Sequence, residues 1–134
     1  PTLEELFKTE NKDLCQSIIK DEDSVFELFH QTLVGIEYLH KNNFYHCDIA
    51  PKNIFIKSTD SDFFAVIGDL GAGKTTTTHA FQKTRVIGTR AYMPDNVKEV
   101  KDKEISYEEF CDLQPAWDIY STIITLKEII EKIK

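Results

Sequence analysis

The sequence predicts a mainly α-helical domain with one small β-hairpin, an α+β class. Two observations predict this class. Apolar residues recur at helical spacing in residues 24–40 and 117–133. Two short apolar runs, Ile54–Ile56 and Phe63–Ile67, are joined by a polar turn. Steps of three and four residues are typical of one helix face, and short runs around a turn are typical of a hairpin.

Size, charge and cysteine usage restrict the class of protein further. The chain has 134 residues, 41% hydrophobic and 29% charged, the profile of one soluble globular domain. The formal net charge of −7 disfavours a nucleic-acid partner, and no apolar run is long enough for a membrane span. Three scattered cysteines, Cys15, Cys47 and Cys111, suit neither a disulfide framework nor a zinc site. They indicate an intracellular, cytoplasmic location.

Two helices are predicted in the first third of the chain. Thr2 begins the first, because Glu4 and Glu5 follow it and Leu3, Leu6 and Phe7 share one face. A polar stretch reaches Asp23. Ser24 and Glu27 then form a Ser-x-x-Glu capping pattern. The second helix has an apolar stripe and ends at Lys41-Asn42-Asn43; the stripe contains Phe26, Phe29, Leu33, Ile36 and His40.

The rest of the chain is predicted as loops around the hairpin and one long terminal helix. Residues 44–53 form a loop, residues 71–89 an extended mobile loop, and residues 99–112 an exposed charged insert with a short helix. The final segment, Trp117–Ile133, is a helix that is apolar on more than one face. Such a helix is expected to be buried.

An acid, an amide and a second acid mark the candidate site. Asp48 and Asn53 lie five positions apart before the first strand, and Asp69 follows the second strand. One such group can orient a hydroxyl nucleophile, and two oxygen ligands can hold Mg²⁺ on phosphates. Gly71 allows the backbone to turn beside Asp69. The pattern predicts Mg-nucleotide chemistry.

Four motifs resemble the large lobe of a eukaryotic-type protein kinase. His46-Cys47-Asp48 through Asn53 resembles the catalytic loop H-R-D-x-x-x-x-N, and Asp69-Leu70-Gly71 resembles D-F-G. Residues 88–95 resemble the G-T-x-x-Y-x-A-P-E end of the activation loop, and residues 118–121 resemble the D-x-W-S start of the central helix. The resemblance implies that residues 1–134 are a partial kinase domain, a C-lobe from the helix after the hinge to the central buried helix. The N-lobe is expected upstream in the parent chain, and the final helices are absent.

The resemblance also implies a role for each site residue. Asp48 would be the catalytic base, and Asn53 and Asp69 would hold Mg²⁺ on the phosphates of ATP. Lys52 would contact the transferred phosphate, and the Thr89 hydroxyl would bond the base. Structural support would come from His46, Gly71 and Asp118.

The chain departs from the family pattern at several positions. Cys47 replaces the Arg that pairs with a phosphate on the activation loop, so activity is not expected to depend on that pairing, whatever happens at residues 75–78. Ala50 replaces the Lys of serine/threonine kinases, and Lys52 has the position that is basic in tyrosine kinases. Leu70 replaces Phe, and Met93-Pro94-Asp95 replaces A-P-E, with Asp95 expected to pair with an Arg outside this chain.

The leading functional hypothesis is a segment of an ATP-dependent protein kinase that acts on serine or threonine with Mg²⁺. Its partners would be ATP and a protein substrate, and the parent chain, not the isolated one, would be active. A pseudokinase or interaction module is the second hypothesis, favoured by Cys47, Ala50 and the missing small lobe. A small-molecule phosphotransferase is a further hypothesis, although residues 88–92 favour a polypeptide substrate.

A phosphate-binding P-loop protein is also considered, because residues 68–75 match G-x-x-x-x-G-K-[ST] after an apolar strand. That motif needs a helix directly after Lys74-Thr75, so that its N-terminus meets phosphate. A run of threonines follows instead, which is a poor helix start.

Overall fold

The computed structural model describes residues 1–75 and 83–133, and these form helices with three small β-pairs. The helices are α1 (Leu3–Leu6), α2 (Lys12–Ile18), α3 (Glu22–Lys41), α4 (Asp95–Lys98), α5 (Tyr107–Asp112) and α6 (Ala116–Ile133). The strands are β1 (Phe44–Tyr45), β2 (Ile54–Ser58), β3 (Phe63–Ile67), β4 (Lys74–Thr75), β5 (Lys83–Arg85) and β6 (Glu104–Ser106). The predicted class, mainly α with a small hairpin, is confirmed.

The three strand pairs within residues 1–75 and 83–133 are antiparallel. Strands β2 and β3 form the predicted hairpin, with Ile54 opposite Ile67, and Thr59 and Asp62 bond each other across its turn. Strand β1 pairs with β4, and β5 pairs with β6. The prediction of a continuous loop over residues 71–89 is therefore wrong at both β4 and β5. Residues 76–82, which include Thr76–Thr78 of the threonine run, and Lys134 lie outside the described residues.

In the described part of the chain, two clusters of buried side chains form the core. The first lies among α1, α3, the β2–β3 hairpin and α6, and includes Leu3, Leu6, Leu28, Ile36, Ile54, Ile56 and Ile129. The second surrounds Trp117 and includes Val86, Met93, Val97, Ile105 and Phe110. Ile49 belongs to the first cluster and Cys47 to the second. The segment around Asp48 therefore joins the two halves of the core.

The predicted start of α1 is confirmed, and the predicted start of α3 is wrong. Thr2 caps α1 and forms a capping box with Glu5. Helix α3 begins earlier than predicted, because the side chain of Asp21, not that of Ser24, accepts the capping bond. The polar stretch before it contains α2, which was not predicted.

The buried face of α3 is also different from the predicted stripe. Leu28, Thr32 and Ile36 are buried, whereas Phe26 is 68% exposed and Leu33 is 42% exposed. Ile36 belongs to the predicted stripe, and Phe29 and His40 of that stripe are half-buried, so the pattern identified the buried face only in part. The hairpin covers the side that carries Leu28 and Ile36.

Two further expectations about exposure are wrong. Residues 99–112 contain the predicted short helix, α5, but Phe110 is 1% exposed and Ile105 is 7% exposed, so the segment is part of the core. Helix α6 has nearly the predicted bounds, yet it is not buried all round. Its exposed isoleucines are Ile119, Ile123, Ile130 and Ile133, and its buried residues include Asp118, Ser121, Thr122 and Thr125. The predicted loop over residues 44–53 contains β1 and a 3₁₀ turn at Pro51–Asn53.

We predict that Asp21→Ala lowers the melting temperature, and that the loss shrinks as the pH falls. Hydrogen bonds from the Ser24 main-chain N–H and hydroxyl lower the pKa of the Asp21 carboxyl below its ordinary value. The stabilisation is therefore complete above the pKa of an unfolded Asp and disappears as the pH falls through the lowered pKa. Circular-dichroism melts of wild type and variant over this range measure it.

Asp23→Ala is the matched control, since Asp23 is an exposed acid of the same helical turn. Asp21→Asn should keep most of the stability at every pH, because the amide oxygen still accepts the capping bond. An Asp21→Ala loss that is the same at all pH values would contradict the prediction.

Candidate active site

Asp48 is held from two sides by hydrogen bonds to its carboxylate. One oxygen, Oδ1, accepts from the Thr89 N–H at 3.0 Å and from the Thr89 hydroxyl at 2.6 Å. The other, Oδ2, accepts from Asn53 Nδ2 at 3.1 Å, and the same nitrogen donates to the Asp48 carbonyl at 2.7 Å. The structure thus brings together Asp48, Asn53 and Thr89. Both bonds of Asn53 use its nitrogen, so the amide oxygen keeps its capacity to bind a cation.

His46 links this loop to the segment that precedes Asp69. The ring is fully buried; its Nδ1 accepts from the Asp48 N–H at 3.1 Å, and its Nε2 bonds the Gly68 carbonyl at 2.7 Å. A carbonyl can only accept, so Nε2 carries the proton and Nδ1 is bare. Both nitrogens are occupied in a neutral ring. His46 is therefore arranged as a support and not as a base.

Asp118, at the start of α6, holds in place the loop that leads to Asp48. It is fully buried, and its carboxylate accepts from the main-chain N–H groups of His46 and Cys47, each at 2.9 Å. His40 Nε2 donates to the same carboxylate at 2.8 Å. Charge-assisted bonds of this kind are the stronger ones in proteins. One side chain of α6 thereby sets the position of the residues directly before Asp48.

Cys47 lies in a strained and closely packed position. It is 2% exposed, and its φ of 69° is in the left-handed region. Gly88 has a φ of 141°, and a Cβ there would lie 2.5 Å from the Cys47 carbonyl oxygen. Only glycine allows this approach, which brings Thr89 to Asp48. Burial, and secondarily the charge of Asp118, raises the pKa of the Cys47 thiol far above its ordinary value, so the thiol is unreactive.

The second acid and the lysine are less constrained. Asp69 is exposed and has a left-handed φ of 52° before the 3₁₀ turn that contains Gly71. Lys52 is exposed on its own 3₁₀ turn. In the described ranges, 1–75 and 83–133, neither side chain has a hydrogen-bond or ion-pair partner. The Gly68 N–H donates to the Asn53 carbonyl at 2.8 Å, which places Asp69 one residue from a direct link to Asn53.

The donor types suit Mg²⁺ bound together with phosphates. An amide oxygen and a carboxylate leave most of the six ligand positions to phosphate and water, as Mg²⁺ prefers. Within the part of the chain that is described, no group of three or more His, Cys, Asp or Glu side chains could enclose a metal by itself. These residues fit a metal carried by a nucleotide better than a metal held by protein alone.

The P-loop interpretation requires a helix that begins at Lys74 and Thr75, and the structure has a strand there. Lys74 and Thr75 form β4, and they pair with Tyr45 and Phe44 of β1. A strand pairing at these two residues cannot present the first turn of a helix to phosphate.

The segment before α4 is bonded to α6. The Tyr92 hydroxyl donates to Glu128 at 2.8 Å, and the Ser121 hydroxyl donates to the Tyr92 carbonyl at 2.6 Å. Burial and then the Glu128 bond raise the pKa of Tyr92. The side chain of Asp95 is 98% exposed and lies 3.9 Å from Lys98. No arginine pairs with it in the described residues.

Sequence reasoning missed the partners of the site residues. His40 was assigned to an apolar stripe, although it bonds Asp118. Gln114 Oε1 accepts from the Asp118 N–H at 3.2 Å, and Glu128 was not singled out. No local pattern marks His40 and Glu128, since their partners lie far away in the chain. Gln114 lies only four residues before Asp118, but no motif marks it.

Comparison with known proteins gives the family. The model of the protein kinase domain matches residues 2–133. The chain therefore belongs to the eukaryotic-type protein kinase family, as the four motifs predicted.

Individual relatives support the same family. A stretch of 57 residues is 44% identical to eukaryotic translation initiation factor 2-alpha kinase 1 of Plasmodium falciparum and covers 42% of this chain and 4% of that protein. A stretch of 116 residues is 26% identical to the probable serine/threonine-protein kinase nek3 of Dictyostelium discoideum and covers 87% of this chain and 10% of that protein. The chain thus spans a small part of the relatives that it matches.

A solved structure shares the fold. The yeast RNA Pol II CTD kinase CTDK-1 complex contains a chain that matches with a TM-score of 0.69 and 24% identity. The match covers 98% of this chain and 37% of that one. At this identity the similarity supports the kinase fold alone.

Among the residues described here, no helix has the length and hydropathy needed to cross a membrane.

We predict that Asp118→Ala destabilises the protein more than any exposed acid-to-alanine change. The substitution leaves two buried main-chain N–H groups without an acceptor, at about 1–3 kcal/mol for each donor. Asp118→Asn should lose less, because one amide oxygen still accepts. Urea denaturation measures the free energies of unfolding. Asp112→Ala, an exposed acid on α5, is the control. A loss of less than about 1 kcal/mol for Asp118→Ala would show that the anchor is unimportant.

Proposed function

We propose that this segment is the phosphotransfer lobe of an ATP-dependent protein serine/threonine kinase. The observation that supports this most directly is the arrangement of Asp48, whose carboxylate is bonded by Thr89 on one oxygen and by Asn53 on the other. In this proposal, residues 1–134 are one lobe of a larger protein. The whole protein would carry the activity. Its free cysteines agree with an intracellular, cytoplasmic location.

Asp48 is proposed as the base that orients the substrate hydroxyl and accepts its proton. Phosphoryl transfer proceeds through a loose transition state, and catalysis depends mostly on position and charge. The bonds from Thr89 and Asn53 hold the carboxylate before any substrate arrives. A carboxylate that is held in this way needs little reorganisation when the hydroxyl approaches.

Asn53, Asp69 and Lys52 are proposed to bind the nucleotide. Asn53 and Asp69 would supply the amide and carboxylate oxygens that hold Mg²⁺ on ATP, and Lys52 would neutralise charge on the transferred phosphate. Bound Mg²⁺ would supply electrostatic stabilisation of the phosphates. Asp69 and Lys52 are exposed, with no partner in the described part of the chain, which leaves both charges available to a ligand.

The contact between Thr89 and Asp48 favours serine or threonine as the acceptor. A threonine at this position resembles the pattern of serine/threonine kinases. Its hydroxyl lies 2.6 Å from the proposed base. The segment that follows, residues 90–95, is bonded to α6 through Tyr92 and would receive the polypeptide substrate.

A pseudokinase is the second candidate function, and Cys47 favours it. The residue is buried, uncharged and directly before Asp48, so it cannot pair with a phosphorylated activation loop. In that case the lobe would act as a binding module without turnover.

We predict that Asp48→Asn and Asp69→Ala abolish phosphotransfer by different routes. Asp48→Asn removes the base and should lower kcat by about 100- to 10,000-fold while nucleotide binding persists. Asp69→Ala removes a metal ligand and should weaken binding of Mg-ATP. Transfer of labelled γ-phosphate to a generic protein substrate by the whole protein measures both. Asp62→Ala, an exposed acid of the hairpin turn, is the control. Normal turnover by either site variant would refute the assigned roles.

We predict that Mg-ATP raises the melting temperature of the whole protein and that Lys74→Ala preserves this shift. Lys74 is a strand residue, and its loss should matter only if the P-loop interpretation were correct. Asp69→Ala should remove the shift, because the metal contact is lost. A thermal-shift assay with and without Mg²⁺ distinguishes the cases. A magnesium-dependent shift without any turnover would favour the pseudokinase, and no shift at all would contradict nucleotide binding.

A further inference from the structure

A groove between α1, α2 and the end of α6 is lined by apolar residues and lysines. It encloses about 300 Å³. Its buried and half-buried lining is apolar and includes Phe7, Cys15 and Ile19. Its exposed cations are Lys8, Lys12 and Lys132. No Asp or Glu is among its described lining residues, although the chain has 23 acidic and 16 basic residues.

On helix α2, a lysine lines the groove and the neighbouring acid does not. Lys12, Cys15 and Ile19 line the groove at intervals of three and four residues, so they share one helix face and its continuation. Asp13, one position from Lys12, is not a lining residue. The groove therefore lacks acids because of the face of α2 that lines it, and not because this part of the sequence lacks acids.

Helix α6 brings the third lysine to the other two. Lys132 Nζ lies 5.6 Å from the centre of the Phe7 ring, a cation–π contact between the end of α6 and the first helical segment. None of the three lysines pairs with an acid in residues 1–75 or 83–133. Three exposed lysines without an ion-pair partner in those ranges thus lie beside an apolar surface and form a basic patch, on a chain with a net charge of −7.

We propose that this groove docks an acidic segment of a partner protein, with an apolar side chain seated near Phe7, Cys15 and Ile19 and carboxylates facing the lysines. Charge complementarity is the argument for an acidic partner. A nucleic acid fits less well, because the phosphate backbone would meet a strongly acidic protein beyond the patch. The docking surface is independent of the phosphotransfer proposed above, since none of its residues belongs to the Asp48 site.

The test uses the full-length protein and a fluorescein-labelled peptide in which glutamates and leucines repeat at helical spacing. A matched peptide with glutamine in place of glutamate is the probe control. Fluorescence anisotropy should show saturable binding of the glutamate peptide that weakens with added salt. The triple variant Lys8→Glu/Lys12→Glu/Lys132→Glu should bind at least about ten-fold more weakly.

A second triple variant, Lys57→Glu/Lys103→Glu/Lys127→Glu, has the same net charge and changes exposed lysines outside the groove. It should bind within about two-fold of wild type, which separates a local site from general repulsion. Lys8→Glu/Lys12→Glu preserves the Lys132–Phe7 contact and serves if the first variant unfolds. Basal phosphotransfer should be normal in the groove variants, so the two proposals can fail separately. No binding by the wild-type protein, equal losses in both triple variants, or tighter binding of an oligonucleotide would overturn the docking proposal.

Discussion

The buried carboxylate of Asp118 is the constraint on which the rest of the site depends. It accepts two consecutive main-chain N–H groups, from His46 and Cys47, and a ring N–H from His40. Cys47, the second of these donors, has a left-handed φ, and the strain at this residue is offset by the charge-assisted bonds in the buried interior.

This anchor explains why distant segments meet at Asp48. Once residues 46 and 47 are fixed, the His46 ring reaches Gly68, and the Cys47 carbonyl comes so close to Gly88 that a side chain could not fit there. Each contact is made by the loop and not by α6 itself. A single acid on one helix therefore positions both of the segments that carry Asp69 and Thr89.

Sequence reasoning succeeded where the signal was local and failed where the signal depended on the packing partner. The hairpin, the cap of α1 and the span of α6 follow from spacing and turn residues within a few positions. The cap of α3 was wrong and its buried face was right only in part, because Asp21 and Ser24 both suit a cap and apolar residues lie on two sides of the helix. The order of Asp48, Asn53 and Asp69 is visible in the sequence. The bonds of His40 and Gln114 to Asp118, and of Glu128 to Tyr92, are not visible, because they leave no periodic pattern.

The candidate site is divided into a part that the protein completes and a part that it leaves open. Both oxygens of Asp48 have donors, and both ring nitrogens of His46 are bonded. Asp69 and Lys52 are charged and exposed, and Asp69 has a left-handed backbone that most residues avoid. Strain and an unused charge at the same residue are typical of a position that is stabilised by its ligand. The proposed ligand, a metal–nucleotide complex, carries both a cation and phosphate oxygens, and the opposite charges of Lys52 and Asp69 suit it.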